Sequence, residues 1–276
     1  MIMSYAKKRR KHLEKYADDT LPVGGKWQGD DGYLHILQFE ESENDTLRKK
    51  NKYDVVCKYN LLEGVDRDLF LIKTMHRFAH HLNSSQVLCY NFFRPLVKLE
   101  EGYKYATPTE DLVSLLNSWG ITITKEAHCY FEYNDKKGDG TQFDFYIKDS
   151  AVEVFFEIKY TEYGFGKADD DKKHREKFEG IYKTLLKEQK CLKQIPEKCK
   201  GFVGDYQLYR NSIRLTSKNQ FLVLLYPEKN SRAESEADSF IKNNINDDYK
   251  DNIKRIYWEK IVPQDSELYK KYLAEE

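Results

Sequence analysis

Nothing in this 276-residue chain is apolar for long enough to span a membrane. Cysteine occurs five times, an odd number at scattered positions (Cys57, Cys89, Cys129, Cys191, Cys199), which argues against a disulfide framework and makes the cytoplasm the expected location. Net charge is absent as well, with 46 Lys and Arg against 46 Asp and Glu, so indiscriminate binding to polyanions is not expected. The opening MIMSYAKKRRKHLEKY is basic but has no apolar stretch behind it, so no signal peptide is expected. No internal repeat is visible. What remains is 40% hydrophobic, 14% aromatic and 33% charged, the balance of a globular protein with a real core. Charge is unevenly placed. Lys7–His12, Arg48–Lys52 and the Lys-rich stretch between Tyr160 and Lys218 are basic, while acid collects in Glu234–Asp251 and at Glu275-Glu276. Basic runs of this kind are usually solvated helix faces.

The most informative stretch is QFDFYIKDSAVEVFFEIKYTE, residues 142–162. Two runs rich in Phe, Tyr, Val and Ile flank a polar turn at Asp149-Ser150, which predicts a β-hairpin of strands Gln142–Lys148 and Val152–Tyr160. Alternation puts Phe143, Phe145 and Ile147 on one face, with Asp144 and Tyr146 on the other. On the second strand Val152, Val154, Phe156 and Ile158 face one way, and Glu153, Phe155, Glu157 and Lys159 the other. If residues 149–152 form the loop, Lys148 pairs with Glu153, Tyr146 with Phe155, and Asp144 falls opposite Glu157. Opposed carboxylates are destabilising. They call for a proton or a cation between them, and a hard divalent ion on oxygen ligands would serve.

Singly, Asp144 and Glu157 would be ordinary surface charges. Together with Lys159 they form an acid, twelve intervening residues, then Glu-x-Lys on two apolar strands of matching parity. This pattern resembles the signature of the PD-(D/E)xK nuclease superfamily, the restriction-endonuclease-like fold. Tyr160-Thr161-Glu162, the Ser84-Ser85-Gln86 helix start with Asn91, and Tyr206-Gln207-Leu208-Tyr209-Arg210-Asn211 are similar to a bacterial branch of it. Phe143 stands where the family name has Pro, a position that varies. The resemblance implies an α/β fold, with a central mixed sheet flanked by helices and a helical N-terminal region. It also implies a metal-dependent nuclease acting on DNA phosphodiesters, in restriction or defence. Asp144, Glu157 and the backbone carbonyl of Ile158 would hold Mg²⁺ or Mn²⁺, Lys159 would assist the attacking water, and Gln207 would be an extra active-site glutamine. A further acid is expected at Glu132 or Glu110. Arg210, Arg214, Lys172 and Lys173 would grip the nucleic-acid backbone, double-stranded DNA being the first expectation. No membrane partner is expected, and a homodimer stays open. The rival is a catalytically inactive nucleic-acid-binding or assembly protein on the same fold, or an RNA-directed nuclease.

Elsewhere the pattern predicts an N-terminal, partly helical region over 1–105 packed on a nuclease core over 106–276, with a Lys-rich helical insertion at 167–200. Residues 22–32 are turn-rich, and Tyr33–Phe39 reads as a strand or buried extended segment. Asp66–Leu82 reads as a helix, with Leu69, Ile72, Lys73, His76 and His80 at helical spacing. Histidines at i, i+4 can bind metal, but residue 77 is Arg and no third ligand is evident, so packing or exposure is the reading for His76 and His80. A second helix runs Gln86–Phe93 and a third from Thr107 through Trp119, stopped by Gly120. Ile121–Tyr133 reads as a strand, and Asn134–Gly140 as a turn lacking the spacing of a calcium loop. Helices are expected from His174 to Leu192, over Asp205–Leu215 with Tyr206, Gln207, Arg210, Asn211 and Arg214 on one polar flank, over Ser235–Asn244, and from Gln264. Gln220–Tyr226 reads as a strand buried on both faces, and Ile253–Ile261 as another. Cys191 and Cys199 do not make a four-cysteine set for an iron–sulfur cluster.

Overall fold

The structure, a computed structural model, describes residues 4–21, 33–100, 105–134 and 138–274. The turn-rich stretch 22–32, part of the Asn134–Gly140 turn and the last two glutamates lie outside the described residues. Seven strands form one sheet in chain order: β1 (Val97–Leu99), β2 (Ala106–Pro108), β3 (His128–Asn134), β4 (Gln142–Lys148), β5 (Glu153–Ile158), β6 (Gln220–Tyr226) and β7 (Ile253–Tyr257). The first five are antiparallel neighbours, and β5–β6 and β6–β7 are parallel. The sheet is therefore mixed, with helices on both faces, as the resemblance implied.

The β4–β5 hairpin has the predicted register, Lys148 opposite Glu153 and Tyr146 opposite Phe155. Face assignment departs from simple alternation at one point. Phe145 and Ile147 pack in one core with Val154, Phe156 and Ile158. Phe143 instead joins the opposite core, with Tyr146 and Phe155. The neighbouring strand does the same: Phe131 packs toward the first core and Tyr133 toward the second. Pairing runs Phe131↔Phe145 and Tyr133↔Phe143, with Glu132 and Asp144 between the paired positions. Glu132 has φ of 52°, the left-handed region that costs a residue with a Cβ about 1–2 kcal/mol. Both strands change face at these two acids.

β6 is buried on both sides, Val223 and Leu225 in one core and Leu222, Leu224 and Tyr226 in the other. Against the first face lie the helices Tyr5–Thr20, Ser85–Phe93, Glu110–Ser118 and Glu267–Tyr272. Against the second lie the helical run from Lys172 to Lys187 and the helices Cys199–Val203, Tyr206–Ser212 and Ser231–Asn244. Ser84 and Thr109 cap their helices by accepting from Val87 and Leu112 N–H. Gly120 follows the second of these helices at φ of 74°, the conformation that ends a helix.

Several expectations need correction, among them the helix expected from Thr107, which begins at Glu110 after β2. The strand expected over 121–133 begins only at His128, and β7 stops at Tyr257, where a short helix, Trp258–Ile261, takes over. The helix Asp45–Val55, continued by a π-helical turn over Val56–Asn60, has little apolar periodicity and was not anticipated. Asp66–Leu82 is not a helix but a succession of turns closed by i to i+3 bonds such as Phe70 N–H to Arg67 O and Ala79 N–H to His76 O. Side chains from elsewhere take its remaining backbone groups. Asn60 donates to the Ala79 and His81 carbonyls, Gln86 bridges Thr74 O and His76 N–H, and Tyr90 OH accepts from Leu69 N–H. Distant partners thus replace the helical ladder.

The C-terminal helix is tied back to the N-terminal half by a buried ammonium. Lys271 is 1% exposed and donates to Asn60 O at 2.6 Å and Asn60 Oδ1 at 2.9 Å. Burial pushes it down to about 7, against about 10.4 in an unfolded chain. Between those values the unfolded state binds the extra proton, so this group makes the fold more stable as pH rises from 7 to 10. Urea unfolding of wild type and Lys271→Met across that range is expected to show the wild type gaining on the variant; a pH-independent difference would contradict it.

Candidate active site

Asp144, Glu157 and Lys159 line one open cavity of about 470 Å³, together with Glu132, Gln142, Ile158, Glu162 and Gln207. Glu157 is 3% exposed and Lys159 8%. A carboxylate removed this far from water needs donors on both oxygens, and it has three. Lys159 Nζ and Gln207 Nε2 donate to Oε1 at 2.7 and 2.6 Å, and Asn211 Nδ2 donates to Oε2 at 2.8 Å. Gln207 and Asn211 come from one helix at i, i+4, the spacing that sets two side chains on one face. Gly166, at φ of 80°, passes close enough that an added Cβ would lie 3.2 Å from Gln207 Oε1. The loop after β5 is thereby pressed against the glutamine.

Asp144 lies where the β4–β5 ladder ends, Phe145↔Phe156 being the last pair. Its Oδ2 accepts from Ile158 N–H at 2.7 Å. Burial, then the charges of Glu157 and Glu132, raise its carboxyl well above the usual range, outweighing Lys159 and the Ile158 N–H. Glu132, whose Oε2 accepts from Gln142 at 2.7 Å, is pushed up to about 7, chiefly by burial and also by Glu157. Burial alone would lower Lys159, but Glu157, Glu162 and Asp144 more than offset it and hold the ammonium above its usual value. The cavity is thus a concentration of acid around one lysine. Among the described residues, no three His, Cys, Asp or Glu groups already form a ready-made metal site. Three oxygen-donor side chains nevertheless meet there, two of them raised partly by mutual repulsion that a divalent cation would relieve. The donor set fits Mg²⁺ or Mn²⁺.

Of the two further acids, Glu132 is in the cavity. Glu110 is exposed, paired with Lys125, and outside it. Arg214, expected to contact nucleic acid, does not reach solvent. It is 1% exposed and forms a two-pronged ion pair with fully buried Asp139, at 2.7 Å to Oδ1 and 3.2 Å to Oδ2. The helix expected over Asp205–Leu215 ends at Ser212, and the flank carrying Gln207 and Asn211 turns inward onto the sheet, with Arg214 just beyond it. Arg210 is half-buried, donating to Thr141 Oγ1 at 3.1 Å beneath the Tyr206 ring. Lys172 and Lys173 are exposed on the first turn of their helix, Lys172 beside Glu176 at 3.8 Å, and neither lines the cavity.

Several lining residues escaped the sequence reading. His76 and His81 reach the cavity from the turns of 61–84, Gln86 from the following helix, and Asn83 bonds Thr161 at 2.8 Å across it. Burial lowers His81 to about 3, helped by neighbouring histidines. Asn211 was legible in principle, since it sits four residues after Gln207.

Removing one half of a buried ion pair strands the other, at about 3–5 kcal/mol. Arg214→Ala is therefore expected to lower the urea midpoint sharply. A stable variant with weakened DNA binding would instead restore Arg214 as a contact residue.

The family model described as Restriction Endonuclease associating with ARP matches residues 10–275. No curated protein and no solved structure matches the chain.

Proposed function

Because the chain belongs to the restriction endonuclease family associating with ARP, we propose that it is a Mg²⁺- or Mn²⁺-dependent nuclease that hydrolyses DNA phosphodiesters in restriction or defence. The observation that carries this reading is the convergence of Asp144, Glu157 and Lys159 in one open cavity. Double-stranded DNA is the proposed substrate. The cytoplasm is the proposed setting, in keeping with five free thiols.

Asp144, Glu157 and the Ile158 carbonyl would hold the ion, with Glu132 as the additional acid. When bound, such an ion polarises a phosphate oxygen and makes water easier to ionise. The chain's own residues do the rest. Gln207 and Asn211 fix the orientation of Glu157, so the carboxylate loses no freedom on meeting a cation. Glu157 in turn holds the Lys159 ammonium at 2.7 Å. There it offsets charge growing on the phosphate as water adds to phosphorus and the alcohol leaves. Arg210 and the exposed lysines of the 172–187 run would contact the backbone, which positions a duplex without reading sequence.

Purified protein with Mg²⁺ is expected to degrade DNA. Asp144→Ala and Lys159→Ala should each lower the rate by at least about a hundredfold while the variants remain folded. Full activity in either variant, or DNA binding without metal-dependent turnover on DNA or RNA, would remove the proposal. Metal affinity carries a second signature. Ligands must shed their protons, and Asp144 and Glu132 are raised, so both hold protons at pH values where ordinary carboxyls are ionised. Mg²⁺ or Mn²⁺ titrated calorimetrically is expected to bind more tightly at pH 8 than at pH 6, releasing protons on binding. Equal affinity at both would exclude these carboxyls as ligands.

A further inference from the structure

Beside the cavity lies a second, larger cleft of about 730 Å³, and Phe78 and His81 line both. Its charge is opposite. Arg48, Lys49, Lys52, Lys73 and Arg77 line it against one carboxylate, Glu41. Arg48 and Lys49 are shared with Asp45 on their own helix, while Lys52, Lys73 and Arg77 have no ion-pair partner among the described residues. The basic groups are interleaved with rings. Phe78 is 42% exposed, with the Arg77 guanidinium 4.4 Å from its centroid, and Lys52 Nζ lies 5.9 Å from the Phe39 ring. The turns presenting Phe78 are pinned, since Lys52 donates to Arg77 O and Asn60 to the Ala79 and His81 carbonyls.

Exposed rings among cations are the combination that holds unpaired nucleotides: phosphates meet Lys and Arg while bases stack on the rings. A base inside a duplex has no free face to offer Phe78, and the cleft has the volume of a small-ligand site rather than of a double helix. We propose that this cleft binds unpaired nucleotides that adjoin the duplex of the substrate, as in a single-stranded tail, next to the scissile phosphate, with Phe78 as the stacking platform and Lys73 and Arg77 as the phosphate contacts. The location relative to the scissile bond rests on the nuclease reading; the nucleotide-binding chemistry of the cleft does not. The sequence already marked Arg48–Lys52 as basic, but only the fold brings it against Lys73, Arg77 and Phe78.

The test is a binding measurement in EDTA, so that no cleavage is required. Fluorescence anisotropy would compare a blunt DNA duplex with the same duplex bearing a single-stranded tail. Wild type is expected to prefer the tailed form. Phe78→Ala should weaken the tailed form about tenfold and leave the blunt one unchanged. The double variant Lys73→Gln, Arg77→Gln, at two exposed positions, should lower the dependence of log Kd on log salt by about 1.4 for the tailed form. Equal binding of the two duplexes by wild type would overturn the proposal. So would a tail preference that survives both variants. Phe78-dependent binding of free dAMP as tight as that of the tail would also overturn it, in favour of a small nucleotide effector. Tail preference without any metal-dependent cleavage would remove the nuclease reading and leave the cleft. Cleavage without tail preference would do the reverse.

Discussion

Glu157 places a carboxylate almost wholly out of water at the end of a central strand, and much of the molecule is arranged to meet it. Such a group is tolerated only with its oxygens satisfied. Here the satisfaction comes from three directions: Lys159 two residues along, and Gln207 and Asn211 from a helix about fifty residues later. That helix must dock on the second face of the sheet with its polar side inward, which brings Arg214 below the surface. Buried Asp139 then balances Arg214. One buried acid thus fixes the seating of the helix, and the helix requires a second buried ion pair.

The same demand shapes the sheet. Asp144 and Glu132 stand opposite each other, between paired positions and close to Glu157, where three acids repel. A regular ladder would send each side chain to a core face. Instead β3 and β4 both change face there, at the cost of a left-handed glutamate, and the two carboxyls open into the cavity. Backbone strain concentrated at functional groups is a common arrangement. The turns of 61–84, held by Asn60, Gln86 and Tyr90, close the cavity from the other side and join it to the basic cleft.

Much of this could be read along the chain because it depends on local periodicity. The hairpin register followed from alternation and a four-residue loop, and the two-sided burial of β6 followed from QFLVLLY alone. Ser84-Ser85-Gln86 marked the start of its helix. The pairing of Asp144, Glu157 and Lys159 in one cavity was likewise legible, because parity along two adjacent strands nearly determines which side chains can meet.

What the sequence by itself determined was therefore the hairpin, the acid–acid–lysine grouping and the succession of the larger elements from β3 to β7, all consequences of period-two and period-3.6 patterning. Only the tertiary structure decided that Arg214 is buried, that Glu132 rather than Glu110 reaches the acids, that Phe143 changes face, and that 66–82 forms turns carrying His76 and Phe78 to the cavity edge. The physical reason is common to all four. Each depends on packing, a counter-charge or a hydrogen bond from residues beyond the reach of the local repeat, as Asp139 is for Arg214 and Asn60 and Gln86 are for the turns, and no local pattern records which partner will arrive.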